Sequence, residues 1–222
     1  MPMKINNWML CYAVPEKTAQ QSYDFIEHYE IIFMAVFVIL VILLVLYIVH
    51  ENYRGNQELM KYAQTDALTG LYNKETTKLR TDEILSTDKD MIHAFLILDM
   101  DCFKQINDGY GHAVGDIVLQ KFGQLLRDIF REDDIVGRIG GDEFVVVMKN
   151  IKMKEMAIAK AEELLTKTQQ YEIKELNGSA ISISIGIAMA PEDGDCYMDL
   201  YKRADQALYQ AKRSGKARVC GY

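Results

Sequence analysis

The longest apolar run in the chain covers residues 31–49 and reads IIFMAVFVILVILLVLYIV, without a charged residue. A helix rises ~1.5 Å per residue, so a run of this length crosses most of a hydrocarbon core about 30 Å thick. A core helix of a soluble protein would carry a polar stripe, and a cleaved signal sequence would have a shorter apolar run followed by small residues. The pattern therefore predicts one transmembrane helix.

A polar stretch, residues 50–64, follows this run and is predicted to be a helical linker. Leu59, Met60 and Ala63 form a narrow apolar stripe on it that could pair with a second copy of the chain. From residue 65 to residue 222 the sequence contains no low-complexity tract, repeat or further linker. That length is normal for a single domain, so we expect one folded domain after the linker.

The apolar pattern of this domain alternates between helices and strands. Residues 93–98, HAFLIL, are almost continuously apolar, which favours a strand covered on both faces. Residues 181–190, ISISIGIAMA, alternate with the period of a strand, and apolar residues at helical spacing predict helices around 114–129, 156–165 and 200–211. Two β-prone runs, IVGRI and FVVVM, flank GGDE and predict an antiparallel hairpin. These elements predict an α/β sandwich.

The charge balance narrows the function classes. The 222 residues carry a formal charge of −7, which argues against a nucleic-acid polymer as partner because phosphate-backbone binding requires a basic face. The four cysteines include no C-x-x-C pair, so we expect neither a disulfide framework nor a zinc site. Against this acidic background the cluster KRSGKAR, residues 212–218, could hold phosphates, or it could simply stabilise a helix C-terminus.

Carboxylates occur at two places where strands end. Asp99 and Asp101 follow the apolar run at residues 93–98, and Asp142 and Glu143 lie at the tip of the predicted hairpin. If the two strands are neighbours, these side chains converge, and converging carboxylates repel one another unless a cation lies among them. Carboxylate oxygens with open positions suit Mg²⁺ that carries substrate phosphates. Taken alone, the hairpin tip could simply be a solvated turn, and the segment with Asp99 and Asp101 a solvated strand end.

Glycines and amides beside the carboxylates suggest what could bind there. Gly140 and Gly141 lack Cβ atoms, so a phosphate could approach the hairpin backbone closely. Asn107 and Asp116 flank glycines in residues 102–116, which we predict to form a tight polar turn before a helix. An amide and a carboxylate could accept the N1–H and N2–H₂ donors of guanine, a pair that adenine does not offer. The alternative is ordinary capping and turn formation.

Four segments in this order and spacing, DALTGLYNK, DMDCFKQINDGYGHAVGD, RIGGDEF and ADQALYQAK, resemble the GGDEF family of diguanylate cyclases. The resemblance covers residues 65–222. It implies a five-stranded, mostly antiparallel sheet flanked by helices, similar to class III nucleotide cyclases and polymerase palms. It also implies an enzyme that condenses two GTP into cyclic di-GMP with loss of two pyrophosphates. Because each domain would hold one GTP, the resemblance implies a homodimer whose two sites face each other.

The resemblance also assigns residues to roles, with Mg²⁺, or Mn²⁺, as the cofactor. Asp142 would accept the proton of the attacking 3′-hydroxyl, and Glu143 would help to organise the metal and the ribose. The implied metal ligands are Asp99, the carbonyl of Met100, and Asp142. The implied substrate-binding residues are Asn107, His112, Asp116, Gly140, Gly141, Lys212 and Lys216. Many relatives carry arginine where Lys216 stands, and lysine lacks the bidentate fork of a guanidinium group.

Arg131 and Asp134 stand at R-x-x-D spacing before the glycine pair. This pattern resembles the product-binding inhibitory site of the family, so we expect allosteric binding of cyclic di-GMP there. The alternative is a surface ion pair, which contributes about 0–1 kcal/mol.

The resemblance fixes the orientation in the membrane, because GTP is cytoplasmic. We expect a single-pass protein of the cell (inner, cytoplasmic) membrane, with residues 65–222 in the cytoplasm and residues 1–30 as a short extracytoplasmic segment. Three alternatives stay open: a non-catalytic module that binds GTP or cyclic di-GMP, a cyclase with another nucleotide product, and a structural membrane protein. The last of these leaves the acidic residues unexplained.

Overall fold

The structure, a computed structural model, describes residues 3–5, 8–10, 29–30, 32–51, 64–171, 173–176 and 181–222. The chain divides into two compact units, Met1–Met60 and Lys61–Tyr222. In the first unit, strands β1 (Met3–Ile5) and β2 (Trp8–Leu10) pair antiparallel. Helix α1 (Ile32–Glu51) is 20 residues long and apolar enough to cross a membrane. The predicted linker helix, with Leu59, Met60 and Ala63, lies almost entirely outside the described residues.

The second unit alternates helices and strands along the chain. Its elements are α2 (Lys74–Thr87), β3 (His93–Met100), α3 (Phe103–Tyr110), α4 (His112–Ile129), β4 (Ile135–Arg138), β5 (Glu143–Met148), α5 (Lys154–Gln170), a 3₁₀ turn (Lys174–Leu176), β6 (Ile183–Ala190), α6 (Tyr197–Arg213) and β7 (Val219–Gly221).

The sheet of the second unit has the strand order β4-β5-β3-β6-β7. Every neighbouring pair is antiparallel except β6 and β7, which are parallel. The expected five-stranded, mostly antiparallel sheet is therefore confirmed. Strand β3 is covered on both faces, as its apolar run predicted. Leu96 and Leu98 pack into one core cluster with α4 and α5, and Phe95 and Ile97 pack into another with α6.

Two local predictions were wrong or incomplete. Residues 103–110 form α3 and residues 112–116 begin α4, separated only by Gly111 at φ +86°, so Asn107 and Asp116 lie on helices rather than in a turn. Helix α2 was not predicted, because its buried face includes Thr77 and Thr81, which hide the usual apolar period.

The close packing of α6 on β6 depends on one glycine. A Cβ atom on Gly186 would overlap the carbonyl oxygen of Ala204 in α6. The missing side chain lets the helix lie directly on the strand. This contact positions the last turn of α6, which carries Lys212, over the end of β3.

Candidate functional site

The sheet register brings three acidic side chains together. Asp99 of β3 is paired with Glu143 of β5, and the amide of Met100 donates to the main-chain carbonyl of Asp142 at 3.3 Å. The end of the central strand thus lies against the hairpin tip. Met100 itself is buried in the core, while its main chain contacts the tip.

One lysine lies among these carboxylates. The Nζ atom of Lys212 is 2.7 Å from Oδ2 of Asp99, whose exposed fraction is only 7%. Burial raises the pKa of Asp99 above its ordinary value, against the hydrogen bond and charge of Lys212, and the charge of Asp142 adds to the rise. Burial, followed by the charges of Asp99 and Asp142, also raises the pKa of Glu143. The group holds more negative charge than Lys212 balances, and its oxygen donors fit a divalent cation such as Mg²⁺ or Mn²⁺.

Arg138 holds the hairpin tip in place. Its Nε and Nη2 atoms donate to the carbonyl oxygen of Gly141 at 3.1 and 2.8 Å, and Nη1 donates to Asp66 at 3.0 Å. Asp66 also accepts from the amide and hydroxyl of Thr69 at 2.9 and 2.7 Å. Burial acts to raise the pKa of Asp66, but these bonds from Thr69 and Arg138 outweigh it and lower the pKa. Sequence reasoning assigned no role to either residue of the pair.

The two glycines of the tip differ in the space around them. The amides of Ile139 and Gly140 donate to the carbonyl of Glu143 at 3.0 and 3.4 Å, which closes the turn. A Cβ atom on Gly141 would meet no atom within 4 Å, whereas one on Gly140 would lie 3.0 Å from Oε2 of Glu143. Neither glycine has a positive φ. Gly141 therefore leaves open space in front of the tip, whereas a side chain at Gly140 would crowd Glu143.

Asn107, His112 and Asp116 form a second group, on α3 and the first turns of α4. A Cβ atom on Gly115 would overlap Oδ1 of Asn107. The amide of Asn107 therefore rests directly on α4, where Asp116 is the next residue. His112 and Asp116 are exposed and Asn107 is half-buried, so all three can reach a ligand.

The second predicted phosphate-binding lysine lies beyond α6. The Nζ atom of Lys216 is 3.1 Å from Sγ of Cys102, and this hydrogen bond raises the pKa of the fully exposed lysine. Lys212 and Lys216 thus approach the end of β3 at Asp99 and at Cys102 respectively.

An open cavity of about 850 Å³ adjoins the acidic group. Glu143 and Lys212 line it together with Asp205, Tyr209 and Arg213 from the outer face of α6. The guanidinium of Arg213 lies 5.7 Å from the ring centre of Tyr209. Sequence reasoning placed α6 and singled out its basic end, with Lys212 and Arg213, but assigned no role to Asp205 and Tyr209, since exposed polar residues at helical spacing usually indicate only solvent contact.

Arg131 and Asp134 lie at a different place. The buried carboxylate of Asp134 accepts from the amides of Arg131 and Lys149, both at 3.0 Å, and the side chain of Arg131 is exposed. The ion pairs of the described residues do not include one between Arg131 and Asp134. Both residues, together with Arg127, line a cavity of about 380 Å³.

Comparison with known proteins points to one family. A family model described as "Diguanylate cyclase, GGDEF domain" matches residues 63–218. The diguanylate cyclase DgcS of Shewanella oneidensis is 37% identical over 163 residues, which cover 72% of this chain and 53% of DgcS. The chain spans 24% and 58% of the lengths of two further curated relatives.

Solved structures agree with this match. The GGDEF domain of TpbB (YfiN) from Pseudomonas aeruginosa superposes with a TM-score of 0.66 at 35% identity, covering 71% of this chain and 93% of that one. The GGDEF domain of DgcB from Caulobacter crescentus, in complex with cyclic di-GMP, superposes with a TM-score of 0.65 at 27% identity, covering 72% and 95%.

Proposed function

Because this chain belongs to the GGDEF domain family of diguanylate cyclases, we propose that it condenses two molecules of GTP into cyclic di-GMP and releases two pyrophosphates. The observation that carries the proposal is the meeting of Asp99, Asp142 and Glu143 beside Lys212. This group offers the oxygen ligands and the positive charge that a nucleoside triphosphate requires.

Asp99, the carbonyl of Met100 and Asp142 would hold a divalent cation, Mg²⁺ or Mn²⁺, which when bound supplies positive charge to the triphosphate and to the charge that develops on transfer. The pKa values of Asp99 and Glu143 support this assignment, because burial raises both and the charges of the neighbouring carboxylates raise them further, and a bound cation would offset both effects. Lys212 and Lys216 would contact the phosphates. The open space in front of Gly141 would leave room for the phosphates beside the hairpin backbone.

The reaction would be an in-line displacement at the α-phosphorus. The 3′-oxygen of one GTP forms the new bond to phosphorus, the bond to the bridging oxygen breaks, and pyrophosphate leaves with that oxygen. Asp142 would take the proton of the 3′-hydroxyl, and Glu143 would orient the ribose. A second displacement, in which the 3′-oxygen of the other nucleotide attacks the α-phosphorus of the first, closes the ring and yields cyclic di-GMP.

Two chains would be needed for this chemistry. Each chain contributes one acidic group, so the two sites of a homodimer would face each other with one GTP in each.

The folded domain would span residues 65–222 and lie in the cytoplasm. Helix α1 would anchor the chain in the cell membrane, with residues 1–30 on the other side. The length and hydropathy of α1 support the anchor.

The proposal is tested with the full chain in lipid vesicles, incubated with Mg²⁺ and either GTP or ATP. We expect cyclic di-GMP from GTP and no cyclic dinucleotide from ATP, as resolved by chromatography. A folded sample that binds GTP without converting it would favour the alternative of a non-catalytic binding module.

Gly115→Ala is expected to lower kcat/KM for GTP by roughly tenfold or more, because the added methyl group displaces the amide of Asn107. The melting temperature is measured alongside, because alanine favours a helix but its methyl group would also lie 3.3 Å from Cζ of the core residue Phe103. Competition between GTP and ATP provides the measurement, and selectivity for GTP should fall. A variant with unchanged kinetics and selectivity would show that Asn107 does not contact the base.

Glu143→Gln is expected to raise the melting temperature by roughly 2–4 °C at neutral pH and to weaken stabilisation by Mg²⁺. The pKa of Glu143 is raised in the folded state, so the ionised carboxylate destabilises the fold at pH values above this pKa. This destabilisation is lost as the pH falls through the raised pKa toward the ordinary glutamate value. The gain should therefore vanish below about pH 4. Thermal melts with and without Mg²⁺ provide the measurement, with Glu162→Gln on the exposed face of α5 as control. A lower melting temperature at neutral pH would contradict the account.

We further propose that cyclic di-GMP inhibits the enzyme by binding at Arg131 and Asp134. The cavity that these residues line with Arg127 supports this assignment. Arg131→Ala should leave the initial rate unchanged and raise the inhibitory concentration of cyclic di-GMP at least about tenfold, the effect of losing a charge-assisted contact. Initial rates at increasing product concentration give the answer, and equal inhibition of both proteins would rule out this site.

A further inference from the structure

The buried carboxylate of Asp101 has no part in the proposed reaction, although it lies two residues beyond Asp99. Its Oδ2 atom accepts from the hydroxyl of Ser182 at 2.6 Å and from the amide of Ala217 at 3.1 Å. Its Oδ1 atom accepts from the hydroxyl of Ser184 at 2.8 Å. Only 9% of Asp101 is exposed. Asp101 thus joins the end of β3 to β6 and to the segment that leads into β7.

That segment has an unusual backbone. Three successive residues, Gly215, Lys216 and Ala217, have positive φ values of +112°, +62° and +48°. Residues other than glycine adopt this region only where their surroundings hold them there. Two hydrogen bonds from main-chain amides do so: the amide of Ala217 donates to the carboxylate of Asp101, and the amide of Lys216 donates to the carbonyl of Ala211, both at 3.1 Å.

Lys216 lies in the middle of this segment. Its Nζ atom is 3.1 Å from Sγ of Cys102, the residue that directly follows Asp101. The three hydrogen bonds that Asp101 accepts from Ser182, Ser184 and Ala217, called the clamp below, therefore help to position both Cys102 and Lys216. Asp101, Cys102 and Lys216 also line one open cavity of about 410 Å³, so the lysine is held at the edge of a space that a ligand can enter.

We propose that Asp101 is a positioning residue that holds Lys216 toward the triphosphate of GTP, an inference that rests on the proposed function. A carboxylate suits this place because it only accepts hydrogen bonds, and all three partners donate. Alanine would remove both acceptor oxygens. Asparagine would keep one oxygen for Ser182 and Ala217 and turn its NH₂ group toward the hydroxyl of Ser184, which can rotate to accept.

The test is a double-mutant cycle in the full chain, with Asp101→Ala, Lys216→Ala and the combined variant. The probe is the α,β-methylene analogue of GTP, which binds without being cyclised, and kcat/KM for GTP is measured alongside. Asp101→Ala should weaken analogue binding about tenfold and lower kcat/KM by about 10–100-fold, whereas Asp101→Asn, which can keep the bond to Ala217, should retain most of both. In the Lys216→Ala background Asp101→Ala should have less than about a twofold effect, since both variants remove one interaction.

Two further variants keep the result interpretable. Asp128→Asn removes an exposed carboxylate of α4 and should change neither value. Ser184→Ala removes one of the three donors to Asp101 and takes the place of Asp101→Ala if that variant does not fold. Equal losses in the wild-type and Lys216→Ala backgrounds would overturn the inference, as would unchanged binding in a folded Asp101→Ala variant. A wild-type chain that binds no analogue would overturn the proposed function, and the inference with it.

Discussion

Replacing Asp142 by asparagine is expected to lower the rate of cyclic di-GMP formation by at least about 10³-fold. The change removes the proposed proton acceptor, a role worth about 10²–10⁴-fold on its own, and it also weakens one of the proposed metal ligands. The hairpin should keep its shape, because Asp142 contacts β3 through its main-chain carbonyl, which accepts from Met100. The measurement is the initial rate at saturating GTP and Mg²⁺.

Asp128→Asn is the matched control, since it removes an exposed carboxylate on α4. It should retain the wild-type rate. Thermal melts of both variants establish that they are folded. If Asp142→Asn keeps a rate within about tenfold of the wild type, Asp142 cannot have the combined role given to it.

Arg138→Ala is expected to lower kcat/KM by about 10²-fold, although Arg138 touches neither substrate nor metal in the proposed reaction. Its guanidinium fixes the carbonyl of Gly141 and is itself fixed by Asp66. Without it the tip that carries Asp142 loses its support, and small misplacements of catalytic groups have effects of this size. Arg138→Lys should restore little, because an ammonium group lacks the fork that reaches both partners.

Variants of Asp66 test whether Arg138 acts together with its ion-pair partner. Asp66→Ala should reduce kcat/KM in the wild-type background and have little further effect in Arg138→Ala, because the two residues act as one unit. Arg203→Ala, which removes a guanidinium stacked on Tyr222, serves as the control and should leave the rate unchanged. Additive losses from Asp66 and Arg138 would show that they do not act together.

The central strand and the hairpin are predictable because their signals are local. The apolar run of β3 reflects burial on both faces, and the GGDE segment between two β-prone runs indicates a turn. The acidic group could be anticipated for the same reason: Asp99 and Glu143 come at the ends of two strands that a simple sheet makes neighbours.

Other features depend on contacts that no local pattern shows. Asp66 and Arg138 are 72 positions apart, so their pairing becomes visible only in the folded chain. A signal for Arg138 does exist, because a charge inside the apolar run IVGRI requires a partner. The clamp around Asp101 likewise joins residues more than 80 positions apart.

Residues 102–116 show how composition misleads. Glycine, asparagine and aspartate are typical of turns, yet only Gly111 interrupts the helices there. Gly115 has a packing role instead, since its missing side chain makes room for Asn107. Thr77 and Thr81 conceal α2 in a comparable way, because their side chains bond main-chain carbonyls one turn back and are buried as apolar residues would be.

The most direct test of the account is the stoichiometry of the reaction in the full chain with GTP and Mg²⁺. Cyclic di-GMP and pyrophosphate are quantified in the same samples over time, for the wild type and for Asp142→Asn. We expect two pyrophosphates for each cyclic di-GMP in the wild type, and at least about 10³-fold slower formation of both products in the variant. Release of phosphate or pyrophosphate without cyclic di-GMP, or equal product from both proteins, would contradict it.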